Sequence, residues 1–322
     1  MTALTGPRGP ERKGAGQNGA GRGRLRAVLF MVASAACWGL ATVMSKGALD
    51  HAPPMTLLAV QLAASVAFLG VMILVTGQRV GLDRGATRAA LSGALEPGLA
   101  YALGMAGLTM TSAASASMIG STEPIIVVAL AFLLFRVRTG LGQLAAIAVA
   151  MAGIALTSFS DSRDGGQAGL IGDGLIVLGT VFAALYVVVS SRLVTAIAPL
   201  PLAFLQQAVG LLLALLLLGL ALILGLERIG RLPGAEGWAL MIGSGVVQYA
   251  LAFWFYLLAL RRLPVASAAL FLALIPVSGI GGAAVFLGET ITALQALGCA
   301  LIIGAILSTA WSGAGPGARS GH

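Results

Sequence analysis

Residues 92–101 read SGALEPGLAY, and residues 244–253 read SGVVQYALAF. Ser92-Gly93 answers to Ser244-Gly245, and Leu99-Ala100-Tyr101 to Leu251-Ala252-Phe253, at an offset of 152 residues. The same offset pairs Ser115-Ala116 with Ser267-Ala268, Pro124 with Pro276 and Gln143 with Gln295. Nearer the amino terminus an offset of 146 pairs Ser45-Lys46 with Ser191-Arg192 and Gln61 with Gln207. A longer loop after the seventh apolar segment absorbs the slip. The chain reads as one unit written twice.

Each copy is almost wholly apolar. Of 322 residues 58% are hydrophobic and only 9% charged, against about 25% charged in a soluble domain. So few charges cannot cover a globule of this size, which excludes a soluble enzyme. Disordered chains are poor in apolar residues, which excludes disorder, and glycine without a Gly-X-Y period excludes collagen. A window of about 19 residues finds apolar segments at 27–48, 55–76, 89–108, 113–135, 142–159, 174–194, 202–224, 238–260, 265–287 and 292–311. At about 1.5 Å rise per residue each can cross a hydrocarbon layer about 30 Å thick. The first follows Arg22, Arg24 and Arg26 as a signal peptide would, but its 18 uncharged residues from Ala27 to Met44 exceed the usual apolar stretch of about 7–15.

The expected organisation is a disordered basic tail (1–26), a first repeat (27–159), a loop (160–173), a second repeat (174–311) and a disordered tail (312–322). Each repeat holds five spans, and an odd number turns the second copy upside down. The expected fold is therefore all-α and integral to the membrane, with ten transmembrane helices in two inverted five-helix repeats. That is an architecture of secondary transporters, whose halves rock around a shared site. With the amino terminus inside, 15 of the 19 basic residues fall on the cytoplasmic side, leaving Lys46, Arg163, Arg228 and Arg231 outside. The positive-inside rule thus places both termini in the cytoplasm and the protein in the cytoplasmic membrane. The net charge of +8 is spread over short loops and a tail, which argues against nucleic acid as a partner.

Trp38-Gly39, Thr111 to Ser115, Glu123-Pro124 and Phe286 to Thr290 with Gln295 together resemble the repeated signature of the drug/metabolite transporter superfamily, EamA type. The resemblance covers residues 27–311 and implies ten helices around a central cavity and transport of small metabolites. It departs from the pattern at Gln61, where such repeats often carry a basic residue, at Val137 and at Ile275.

Polar groups within spans are functional candidates, because a charge there costs about 2.5–3.5 kcal/mol on insertion scales. Glu96 precedes Pro97 and Glu123 precedes Pro124. Each proline removes a backbone donor and frees carbonyls, so the carboxyl beside it can take a substrate amine or a proton, or merely brace the kink. Gln61, Gln206, Gln207 and Gln248 can bond a polar solute or serve as interhelical glue. Trp38, Tyr101, Phe253, Trp254 and Tyr256 are candidates for an aromatic wall. Trp238 and Trp311 read as interfacial anchors, Ala113, Ser117 and Ser121 as a packing ladder, and Thr292 to Gln295, just after Glu289, as a capping box. Cys37 and Cys299 lie in apolar runs without metal-ligand spacing and read as packing residues, so neither a metal nor a cofactor is expected. No His-Glu-x-x-His, Gly-x-Ser-x-Gly or Walker motif occurs, which argues against an intramembrane enzyme and against ATP-driven transport by this chain alone. The lack of a ring of like charges argues against a channel. The function expected is secondary transport of a small metabolite or drug-like solute across the lipid bilayer, read as export with protons as a candidate coupling ion; direction stays open, and the alternative is a channel or a non-transporting scaffold.

Overall fold

The computed structural model describes residues 14–81, 83–108, 110, 119–120, 122–158, 166–228, 230, 233–287 and 290–312, and every regular element among them is helical. In chain order the helices are α1 (Gly14–Ala48), α2 (Pro54–Thr76), α3 (Arg84–Ala90), α4 (Ala100–Leu108), α5 (Glu123–Phe135), α6 (Leu141–Ser158) and α7 (Gly166–Leu193). There follow α8 (Pro199–Ile223), α9 (Ala235–Gly245), α10 (Ala252–Leu260), α11 (Val265–Leu272), α12 (Leu274–Leu287) and α13 (Ala293–Ser312). A 3₁₀ turn (Leu91–Ala94) and a π turn (Leu95–Leu99) join α3 to α4, and a π turn (Val246–Leu251) joins α9 to α10.

The ends follow local chemistry. Pro54 and Pro199 open α2 and α8, where the missing N–H would have had no intrahelical acceptor. The Asp83 carboxylate caps α3 by accepting from the Ala86 N–H at 2.7 Å. At the start of α13 the Gln295 side-chain oxygen accepts from the Thr292 N–H at 2.9 Å, and the Thr292 hydroxyl accepts from the Gln295 N–H at 3.2 Å, the reciprocal pair expected of a capping box.

Among the described residues, six helical stretches are long and apolar enough to cross a membrane: Arg22–Ser45, Pro54–Thr76, Gly169–Leu193, Pro199–Ile223, Ala235–Leu260 and Val265–Val285. Glu123–Phe135, Leu141–Leu156 and Ala293–Ser308 are shorter apolar helices. Side chains that a water-soluble fold would hide face outward, Leu74 at 81% exposure and Ile223 at 84% among them, as lipid-facing positions do. Inside, α1 packs on α10 and α12, α2 on α8 and α9, α4 on α7, and α6 on α13.

Three expectations are corrected. Residues 14–26, expected to be disordered, are helical and continue α1 toward the amino terminus, since each residue added to an existing helix gains a hydrogen bond without a new nucleation cost. Residues 166–173, expected in the inter-repeat loop, are the first turns of α7, which packs along α4. Pro124, expected to kink the fourth apolar segment, stands in the first turn of α5, where proline fits without a kink. The expected ladder Ala113, Ser117 and Ser121, Glu289, and the chain from 313 onward lie outside the described residues.

Candidate functional site

The α3–α4 and α9–α10 rods each carry a polar residue in their π turn. Glu96 has extended backbone (φ −146°, ψ 127°) within its π turn, and Gln248 lies in the matching turn of the other rod. The turn before each is held by a glutamine from the opposite repeat. Gln206 of α8 donates from Nε2 to Ser92 Oγ at 2.8 Å and to Ser190 Oγ at 3.2 Å. Gln61 of α2 donates from Nε2 to Ser244 Oγ and to Ser45 Oγ, both at 2.8 Å. Gly93 and Gly245 let these helices touch: a Cβ on Gly93 would collide with the Gln206 backbone, and one on Gly245 would stand 2.5 Å from the Gln61 carbonyl oxygen. The two clasps match residue for residue and correct the register read from sequence. Gln61 corresponds to Gln206, not Gln207, and Ser45 to Ser190, not Ser191, an offset of 145.

Each clasp reaches the same central cavity. Ser45 Oγ donates to Gln248 Oε1 at 3.0 Å, and the Tyr186 hydroxyl donates to Gln206 Oε1 at 3.1 Å. The cavity, about 200 Å³, is lined by Trp38 and Thr42 of α1, Glu96 and Tyr101 of the α3–α4 rod, and Glu123 of α5. Tyr186 and Val187 of α7, Gln248 and Tyr256 of the α9–α10 rod, and Leu272 and Ile275 complete the wall. Two further spaces adjoin it, one of about 290 Å³ toward Pro276 and Gly279, the other of about 250 Å³ toward Gly179 and Thr180; Glu123 lines all three. No Lys or Arg is among the described lining residues. The first turn of α5, where the helix dipole favours negative charge, carries Glu123.

Behind the carboxyl groups the aromatic rings interlock. Trp38 meets Phe253 edge-on at 5.1 Å and Tyr256 at 5.7 Å between centroids, and Tyr101 meets Tyr249 at 5.1 Å. Tyr186 bridges Phe253 at 5.6 Å and Tyr256 at 6.4 Å. Such pairs add about 0.5–1.5 kcal/mol each beyond the area they bury, which makes this cluster a stiff floor.

Of the residues singled out from sequence, Trp38, Glu96, Tyr101, Glu123, Gln248 and Tyr256 meet in the cavity. Gln61 stands behind it in a clasp. Phe253 is wholly buried in the floor. Trp254 stacks on Phe255 at 6.0 Å and lines none of these spaces. Gln207 is fully buried, lines none of them, and has no hydrogen-bond partner at either end of its amide. Tyr186 and Thr42 went unread; Tyr186 interrupts an apolar run, VFAALYVVVS, the one sign that it could have offered.

Long apolar helices with outward-facing leucines, enclosing a cavity with two carboxyl groups, are features of a multi-pass membrane protein, and the family match makes that protein a transporter. The chain belongs to the EamA-like transporter family, whose description matches it twice, over residues 25–159 and 170–311. A relative from Bacillus subtilis (strain 168), named uncharacterized transporter YetK, is 25% identical over 205 residues, which is 63% of this chain and 61% of that protein. The match thus spans about three fifths of the relative's length. A solved crystal structure of another protein superposes with a TM-score of 0.74 at 18% identity, over 88% of this chain and 98% of that one, a likeness of fold.

Proposed function

We propose that the protein is a secondary active exporter of small ammonium-bearing solutes, exchanging them for protons at the cavity that Glu96 and Glu123 share. Ten spans in two inverted five-helix repeats, with both termini cytoplasmic, form the transporter, and alternating access carries the site from one side to the other. The observation that carries the reading is the pairing of two carboxyl groups in one low-dielectric cavity with no basic side chain among its described lining residues. A carboxylate there needs a counter-charge, and either a proton or a cationic solute supplies it. Competition between the two for one group is the physical content of antiport: an entering proton displaces the cation, and an inward proton gradient drives the cation out.

The test is proton movement in proteoliposomes, reported by a trapped pH dye, when a gradient of choline is imposed. Choline-driven proton flux should be saturable and independent of ATP. Glu123→Gln should abolish it while leaving the melting temperature in detergent unchanged, since shape and hydrogen-bonding size survive. Unchanged coupled flux in a stable Glu123→Gln protein would reduce the residue to helix packing. Flux that rises without saturation would indicate a channel instead.

A further inference from the structure

The end of α5 departs from the habit of the rest of the chain. Arg136, its C-cap, has a left-handed backbone (φ 56°, ψ 25°), a conformation uncommon for any residue with a side chain. The other described residues with positive φ, Gly77 and Gly225, are glycines, as helix ends of this kind prefer. The second repeat agrees, because the offset of 152 residues that pairs Pro124 with Pro276 and Gln143 with Gln295 also pairs Arg136 with Gly288. An arginine thus stands where backbone and repeat both call for glycine. The same offset pairs Phe132 with Ala284, Phe135 with Leu287 and Arg138 with Thr290, so this corner is particular to the first repeat.

Aromatic rings hold the cations at that corner. The Arg136 guanidinium lies 5.9 Å from the centroid of the Phe132 ring, and Arg192, from the last turn of α7, lies 4.5 Å from that of Phe135. A guanidinium over a ring face keeps its in-plane N–H groups for other acceptors, and Arg136, Arg138 and Arg192 are all exposed. Phe132, Leu133, Leu134 and Phe135 are 44%, 67%, 48% and 39% exposed. Four successive residues point all round a helix, so hydrocarbon rather than protein surrounds most of this turn. Among the described residues of the loops at this end Asp83 is the acid, and it is engaged in capping α3. We propose that the corner binds an anionic phospholipid, whose acyl chains lie against Phe132–Phe135 and whose headgroup rests on the guanidiniums at the end of that turn. Guanidinium matches phosphate in shape, and the ammonium of a zwitterionic lipid would be repelled by the three cations. Glu123 opens α5 and Arg136 closes it, about 20 Å apart along the axis at about 1.5 Å per residue. The lipid site is therefore separate from the carboxyl cavity and independent of the solute carried.

The experiment is native mass spectrometry of the full-length protein in detergent, titrated with dioleoylphosphatidylglycerol, with dioleoylphosphatidylcholine, which has the same chains, and with glycerol phosphate, which has none. Phosphatidylglycerol should bind most tightly. Arg192→Gln and Arg136→Gly should each shrink its lead over phosphatidylcholine about fivefold, the contribution of one basic side chain near anionic lipid. Arg136→Gly should fold at least as well as the wild type, because glycine takes the left-handed conformation readily, so lipid binding lost there is not structure lost. Arg79→Gln removes the same charge from the loop between α2 and α3 at the same end and should leave the lead intact. Equal binding of the two lipids to the wild type would overturn the proposal, as would an undiminished lead in either corner variant. A loss at Arg79→Gln as large as that at Arg192→Gln would overturn it in favour of diffuse charge, and glycerol phosphate binding as tightly as phosphatidylglycerol in favour of a site for free phosphate. Each of these outcomes leaves the export reading where it stands.

Discussion

Gln206 and Gln207 are chemically identical, adjacent on α8 and wholly buried, yet replacing each by leucine should move stability in opposite directions. Gln206→Leu removes two bonds to Ser92 and Ser190 and the acceptor of the Tyr186 hydroxyl. Interhelical side-chain bonds in membranes average about 0.6 kcal/mol. The tyrosine hydroxyl keeps only Ser190 beside it as a partner, adding about 1 kcal/mol for a strained or lost bond. The expected loss is roughly 2 kcal/mol. Gln207→Leu removes two polar ends that have no partner, trading an unsatisfied amide for a side chain of similar bulk, and should stabilise by about 1 kcal/mol. The difference of about 3 kcal/mol between neighbouring positions can be read by unfolding in mixed micelles with increasing sodium dodecyl sulfate, followed by tryptophan fluorescence. Equal losses, or a larger loss at 207, would refute the assignment of Gln206 as the clasp.

Gly93→Ala should reduce folded yield sharply, because its methyl group collides with the Gln206 backbone, whereas Gly104→Ala, with nothing within 4 Å of the new carbon, should be tolerated; size-exclusion profiles of the two compare them directly. Glu227→Ala should lower stability by about 1 kcal/mol, since that carboxylate accepts from the Met55 N–H at 2.6 Å and the Thr56 N–H at 3.2 Å in the first turn of α2; an unchanged melting curve would show that water caps the turn equally well. Reporter fusions after residues 85 and 319 should read cytoplasmic, and those after 165 and 232 exterior; a cytoplasmic signal at 165 would defeat both the ten-span arrangement and the inversion.

How far the sequence could be read depends on the kind of signal. Charge in an apolar run is costly wherever it falls, so Glu96 and Glu123 declared themselves, and the duplicated Ser-Gly pairs located the clasped turns. Rotation about a helix was not legible in the same way. Successive residues point about 100° apart, so the one-residue error that matched Gln61 to Gln207 chose a side chain on another face. Only the hydrogen bonds of Gln206 reveal the true offset. Composition also misled where glycine is dense: residues 14–26 and 166–173 look unstructured by content, but each extends a helix already formed. Tyr186 lacked any repeat partner or motif, and its place was set by α7 meeting α8 and α10 in space.

The crossed clasps also bear on how the chain is made. Gln61 finds Ser244, and Ser92 finds Gln206, only across the two halves. A ribosome delivers the first half to the bilayer before the second exists, so for that interval an amide and a hydroxyl meant for later partners sit in hydrocarbon with local bonds alone. The half-built protein is the species most exposed to premature pairing and to membrane quality control. Neither half, expressed by itself, has the means to finish its own interior.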